Sequence, residues 1–116
     1  MESERQRMYR LHAEVLKAMG NPHRLAIIDL LREGERAVGD IAESVGLSIS
    51  NTSQHLTVLK SVGIVRRRKE GTTCYYRVAA PTIFQAFDCL GKVLLEGSED
   101  EVAHREYLQK QVLVGH

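Results

Sequence analysis

Only two cysteines, Cys74 and Cys89, occur in 116 residues, and they form no Cys-x-x-Cys pair. That is too few for the disulfide framework of a small secreted domain, so reduced thiols are the expectation. Long apolar runs are equally scarce. A stretch such as Ala26-Ile27-Ile28 is only a few residues long, far short of the roughly 20 that a membrane-spanning helix needs. The opening Met1-Glu2-Ser3-Glu4-Arg5 lacks the apolar stretch of a signal peptide. These absences predict a cytoplasmic protein with no membrane partner. Repeats and low-complexity segments are missing too. So are a Gly-rich phosphate loop, a His-Glu-x-x-His motif and a nucleophile elbow, which leaves an enzyme reading with little support and no cofactor to expect. Asp40 with Glu43 reads more simply as the solvated face of a helix than as a catalytic pair.

What is present is ordinary globular composition, 43% hydrophobic and 27% charged, in a chain long enough for one core and too short for two. A single domain over residues 1–116 is therefore expected. Charge placement says more than the net +1. Residues 46–79 hold Lys60, Arg66, Arg67, Arg68, Lys69 and Arg77 against the lone acid Glu70, whereas the remainder of the chain is net acidic. A basic third on an acidic body is the electrostatic footprint of one polyanion-binding face, although a charge run can equally be a solvated surface.

Hydrophobic periodicity gives the elements. Met8, Leu11, Val15 and Met19 recur at helical spacing, which predicts a first helix over 4–19, with Gly20 as the left-handed residue that ends it. Asn21 as cap and Pro22 at the first helical position start a second helix over 22–32, with Leu25, Ile28 and Leu31 as its stripe. Val38, Ile41 and Val45 mark a short third helix that Gly46 stops. Ser48 and Ser50 are both suitable caps for a fourth, running to about Val62. From Ile64 the pattern changes to β-branched and aromatic residues, and Glu70-Gly71-Thr72-Thr73 separates two strands of a hairpin. Pro81 opens another helix with Ile83, Phe84, Phe87, Leu90 and Leu94 as its stripe. Ser98-Glu99-Asp100-Glu101 fits a capping box for a last helix over 98–113 that uses Val102, Tyr107, Leu108 and Val112. The expected fold is mainly α with a β-hairpin wing.

The short third helix, a tight Gly46-Leu47-Ser48 turn and a longer fourth helix make a helix-turn-helix, whose second helix enters the DNA major groove with its N-terminal residues toward the bases. Ser48, Ser50, Asn51, Thr52, Ser53, Gln54 and His55 crowd that end with short hydroxyls, amides and an imidazole, broken only by Ile49. One or two such residues would merely cap and solvate a surface helix; seven in eight positions within the basic segment favour DNA. Lys60 on the same helix, Arg66, Arg67, Arg68 and Lys69 on the hairpin and Thr72 at its tip complete the candidate contacts, with Arg77 a weaker one. Strand alternation sends Arg66 and Arg68 to one face and Arg67 and Lys69 to the other, so only part of the set can face phosphate.

On these residues the chain resembles the ArsR/SmtB family of winged helix-turn-helix transcriptional regulators. The resemblance runs through Leu16-Lys17-Ala18-Met19-Gly20-Asn21-Pro22-His23-Arg24-Leu25, Val38-Gly39-Asp40-Ile41-Ala42, Leu47 to Leu56, Leu59-Lys60, Gly63-Ile64-Val65, Glu70-Gly71 and Tyr75-Tyr76-Arg77-Val78, one colinear block over about residues 11–79. It implies a homodimer built on the first and last helices, repression by binding a double-stranded DNA operator, and release by a small inducer such as a metal ion, metalloid or thiol oxidant.

The family's effector sites match poorly. Its cysteine-containing motif at the start of the third helix is replaced by Glu35-Arg36-Ala37-Val38-Gly39-Asp40, with Ala37 in the ligand position. Its Asp-x-His and His-x-x-Glu zinc set on the C-terminal helices is replaced by Leu90-Gly91-Lys92-Val93-Leu94, where Lys92 and Val93 cannot ligate. The residual His12, Asp88, Cys89, His104, Glu106 and His116 are scattered without ligand spacing, so no metal site is expected. Cys89 reads first as a small core residue and second as a sensor thiol, and Cys74, opening a strand, likewise. An intrachain bond between the two would need a fold-back, whereas a Cys89 pair across a dimer is easier to build. Two alternatives stay open: a thiol-, redox- or metalloid-responsive sensor acting through Cys89, and a winged-helix module that docks on protein.

Overall fold

The computed structural model describes residues 1–97, 105–107 and 109–110. Two units divide the chain, Met1–Phe84 and Gln85–His116. In the first, α1 (Glu4–Met19) begins at Ser3, whose hydroxyl accepts from the Gln6 N–H while the Gln6 side chain returns to the Ser3 N–H. A tight turn leads into α2 (Pro22–Leu30). Here Asn21 caps with its side-chain oxygen, accepting from the backbone of His23 at 2.9 Å and Arg24 at 3.2 Å. Gly20 is not left-handed as the sequence predicts: its φ is −77°. The Gly20 N–H bonds the Lys17 carbonyl and the Asn21 N–H the Met19 carbonyl, so the chain turns without a positive φ.

α2 stops earlier than its stripe implies and passes into a 3-10 turn, Leu31–Glu33. Next comes a two-residue strand that the sequence reading missed, β1 (Arg36–Ala37). It is too short to carry a period of two, and only its pairing with the wing reveals it. α3 (Val38–Val45) ends at Gly46, whose φ of 73° lies in the left-handed region that a glycine enters without steric cost. α4 (Ile49–Ser61) follows directly, and of the two suitable caps Ser48 is the one used, accepting from the Asn51 N–H at 3.0 Å.

The wing is β2 (Val65–Glu70) and β3 (Thr73–Val78), antiparallel, turning at Gly71 with φ 61°. β1 adds to the other edge of β3, giving the order β1-β3-β2, so the expected hairpin is a three-stranded antiparallel sheet. The core packs between the helices and the base of this sheet. Ile27 and Ile28 of α2, Ile41 of α3, Leu56 and Leu59 of α4 and Val65 of β2 are all fully buried. At roughly 25 cal/mol per Å² of apolar surface removed from water, these side chains are what hold α4 in place.

α5 (Ile83–Gly97) buries none of its residues within the chain. Leu90, Val93 and Leu94 are exposed along it, and Leu94 is 67% accessible. Residues 105–107 and 109–110 are helical. The capping box at Ser98-Glu99-Asp100-Glu101, together with Val102, His104, Leu108, Val112 and His116, lies outside the described residues. No helix among the described residues is long and apolar enough to cross a membrane.

Candidate nucleic-acid interface

Helical geometry divides the polar residues of α4 into two sets. Ser50, Asn51 and Gln54 are exposed, and the outward face continues through Thr57, Val58 and Ser61. Thr57 and Ser61 bond back to the Ser53 and Val58 carbonyls at 2.9 and 2.6 Å. The sequence-predicted contacts on this helix are Ser48 to His55 and Lys60; Thr57, Val58 and Ser61 are not among them, although the spacing of three and four from Gln54 places them on the same face. Ser48 is exposed and serves as the cap, Ser53 is partly buried, and Lys60 is exposed in the last turn.

Thr52 departs from expectation. It is fully buried, with its hydroxyl donating to the Ser48 carbonyl at 2.8 Å, because position 52 shares the inward face with Leu56 and Leu59. A buried hydroxyl needs a partner, and Ser48 supplies it. Thr52 therefore belongs to the core and not to a DNA-facing surface.

His55 is half-buried between α2 and α4. Its Nδ1 lies 3.3 Å from Arg24 Nη1, and its ring centroid is 5.5 Å from that of His23. Burial first, then the charges of Arg24 and His23, push its pKa below the usual histidine value. No local pattern announces the contact, since 31 positions separate Arg24 from His55.

On the wing, the register places Arg66 opposite Arg77 and Arg68 opposite Tyr75 on one face, and Arg67 opposite Tyr76 and Lys69 opposite Cys74 on the other. This is the alternation expected. Arg68 is committed within the chain: it bonds Glu35 at 2.6 Å and Glu70 at 2.5 Å, and its guanidinium lies 4.6 Å from the Tyr75 ring centroid. A phosphate would have to compete with these two carboxylates for Arg68, which sets it apart from the other wing cations. Arg66, Arg67 and Lys69 are exposed and make no ion pair among the described residues, and Thr72 is exposed at the tip. An exposed hydrogen-bonding helix face together with unpaired cations on an adjoining ribbon is chemistry suited to base edges and phosphates.

Residues 21–67, which span this helix-turn-helix and the first half of β2, match the family model described as bacterial regulatory protein, arsR family. Over 110 residues the chain is 42% identical to the HTH-type transcriptional regulator Rv0081 of Mycobacterium tuberculosis, covering 94% of this chain and 95% of that relative. The chain belongs to the ArsR family. It shares 30% identity over 86 residues with the transcriptional repressor SdpR of Bacillus subtilis, covering 74% of this chain and 96% of SdpR. The solution structure of the homodimeric winged helix-turn-helix DNA-binding domain Mb0332 from Mycobacterium bovis superposes with a TM-score of 0.74 at 38% identity, covering 85% of this chain and 92% of that one. This ArsR-family chain is thus a winged helix-turn-helix transcriptional regulator.

Ala37, where a ligating cysteine is expected in metal-sensing members, ends β1 and stands at the N-cap position of α3 without a side-chain bond to it. Lys92 and Val93 are exposed on α5. Among the described residues no three His, Cys, Asp or Glu side chains are grouped to hold a metal ion. Cys74 is half-buried on β3, and both thiols are free. Cys89 is exposed on α5 rather than in the core, which overturns its first reading as a small packed residue.

Proposed function

We propose that the protein is a homodimeric, sequence-specific DNA-binding regulator that represses by occupying an operator and leaves it when an inducer binds. In this reading it has no catalytic role. The observation that carries it is the junction of the outward face of α4, Ser50, Asn51 and Gln54, with Arg66, Arg67 and Lys69 of the wing. The first set offers donors and acceptors at base-edge reach, and the second supplies sequence-independent phosphate affinity. Ser48, Ser53, Lys60 and Thr72 are flanking contacts. Dimerisation is supported by the exposed apolar residues Met8 and Leu11 of α1 and Leu90, Val93 and Leu94 of α5, which a single chain leaves in water. The homodimeric state of the Mycobacterium bovis domain supports it as well.

The test is selection of duplexes from a random library, followed by footprinting. A dimeric reader enriches an inverted repeat whose half-sites lie one helical turn apart, about 34–36 Å. Enrichment of no duplex overturns the proposal; enrichment of a single half-site overturns its dimeric part. Of the two thiols, Cys89 is the better candidate for a thiol-reactive or metalloid inducer, because it is exposed and lies on α5.

A further inference from the structure

We propose that Arg24 is a positioning residue for DNA recognition, and that it holds α4 only while the His55 ring is uncharged, so that sequence-specific binding weakens on acidification. The inference rests on α4 being the element that reads DNA. Arg24 stands on α2, and one planar group links three helices. Its Nε donates to the Ala18 carbonyl at the end of α1 at 2.5 Å, and its Nη1 is 3.3 Å from His55 Nδ1 on α4. The α1 carbonyl is one of those a helix leaves without an internal partner at its C-terminus, so the bond also fixes where α1 stops relative to α2. On α4, His55 adjoins the exposed Gln54 and lies one turn beyond Asn51. A change in how His55 is held therefore changes the pitch at which those two side chains are presented.

The protonation state follows from donor chemistry. A guanidinium has N–H donors and no acceptor, so its bond to His55 exists only if Nδ1 keeps its lone pair and the ring proton sits on Nε2. Protonating Nδ1 sets donor against donor and cation against cation. Of the charged and titratable groups on the helices packed against α4, Arg24 and His23 are the ones that act on the ring. Neither has a carboxylate bonded to it among the described residues. Among the described residues no carboxylate is bonded to His55 either, so none of these groups holds a counter-charge for an imidazolium. The folded protein accordingly resists protonating His55, and its pKa is lowered by burial, Arg24 and His23. Below the usual value of about 6.5 the unfolded chain takes up the proton more readily than the folded one, so stability is full at neutral pH and falls as pH drops toward the lowered value.

The experiment measures affinity for a library-selected duplex and for random DNA at about pH 7.5 and about pH 5.5, spanning the histidine range, with thermal melts of the DNA-free proteins alongside. An added positive charge by itself strengthens phosphate binding, so the quantity that reports the device is the ratio of selected to random affinity. That ratio falls in the wild type by roughly fivefold on acidification, about the worth of one such hydrogen bond. In His55→Gln it stays flat, because the amide oxygen still accepts from Arg24 and cannot be protonated. In His23→Gln the pH dependence persists. In Arg24→Met the ratio is already low at the higher pH. A wild-type ratio that does not move, or a His55→Gln variant as pH-dependent as the wild type, overturns the inference. If selection enriches no duplex, the DNA-binding reading fails separately. The melts still decide the latch: it stands if acid lowers the wild-type melting temperature more than that of His55→Gln, and falls if the two shift equally.

Discussion

Arg68 donates from Nη2 to Glu35 at 2.6 Å and from Nε to the same carboxylate at 3.2 Å, so the basic wing carries an internal counter-ion from the loop ahead of β1. The Arg68 guanidinium also lies over the Tyr75 ring and donates to Glu70. The effect of the pairing is to set one cation apart from a run of four. Because the bond to Arg68 holds the Glu35 carboxyl below its usual range, the pair persists at neutral pH and is lost only as pH falls through that lowered value. Exposed pairs of this kind contribute little to stability, so its consequence is for binding.

The wing prediction follows from that division. Arg67→Ala should weaken binding to every sequence and flatten the slope of log affinity against log salt by about 1, the signature of one lost phosphate contact. Arg68→Ala should change the slope much less, and the double change Glu35→Gln with Glu70→Gln, by releasing Arg68 from both carboxylates, should steepen it. Fluorescence anisotropy across a salt series checks all three. Equal losses for Arg67→Ala and Arg68→Ala would show that DNA pulls Arg68 away from Glu35.

For α4 the contrast lies between neighbours. Ser50→Ala, Asn51→Ala and Gln54→Ala should each reduce discrimination between selected and random duplexes, by about 1–3 kcal/mol where a paired base contact is lost. Thr52→Val, one residue from Asn51, should leave discrimination unchanged and cost about 1 kcal/mol of stability, since only the bond to the Ser48 carbonyl disappears. Competition binding and urea unfolding separate the two effects.

That contrast also shows what a sequence can disclose. Ser48, Asn21 and Gly46 act through their immediate neighbours, so the caps and turns they make, and hence the helix-turn-helix, were readable. Thr52 was misassigned because a run of polar residues conceals which of them falls on the inward face. Counting back from Leu56 by four would have placed it there. β1, the Arg68–Glu35 pair and the Arg24–His55 contact are different in kind. Each joins positions more than 30 residues apart, with no periodic or local pattern to announce it. Cys89 is exposed because the part of α5 around it, with Leu90, Val93 and Leu94, is left uncovered within the chain, and periodicity along one helix does not disclose which of its residues a neighbour covers.

The uncovered faces lead to a prediction about assembly. Leu11→Asp in α1 or Leu94→Asp in α5 should raise the dimer dissociation constant at least tenfold, about 1.4 kcal/mol, because each places a charge in an apolar contact. Neither side chain is buried within the chain, so the fold of the first unit should keep its unfolding midpoint when Leu94 is changed. Analytical ultracentrifugation over a concentration series gives the answer. A wild type that sediments as a monomer at micromolar concentration sinks the prediction.

Cys89 and Cys74 differ in exposure, and that difference makes the last prediction specific. Cys89 is exposed on α5, whereas Cys74 is half-buried in the register position opposite Lys69. Reactivity with an oxidant or arsenite follows access to the thiolate, so Cys89 should react first. α5 is one of the two helices proposed to meet the partner subunit. A modification there would alter the spacing of two recognition helices that must reach half-sites about 34–36 Å apart at the same time. A shift of a few ångströms would then leave one half-site unfilled, and affinity would drop toward that of a single reader. Modifying Cys74 should perturb β3 and the wing locally, with less effect on the spacing between subunits. Operator binding by wild type, Cys74→Ser and Cys89→Ser, before and after oxidant or arsenite, distinguishes the two. Loss of the response only in Cys89→Ser supports a sensor thiol on α5. An undiminished response in that variant, or none in the wild type, assigns the inducer to some other part of the molecule.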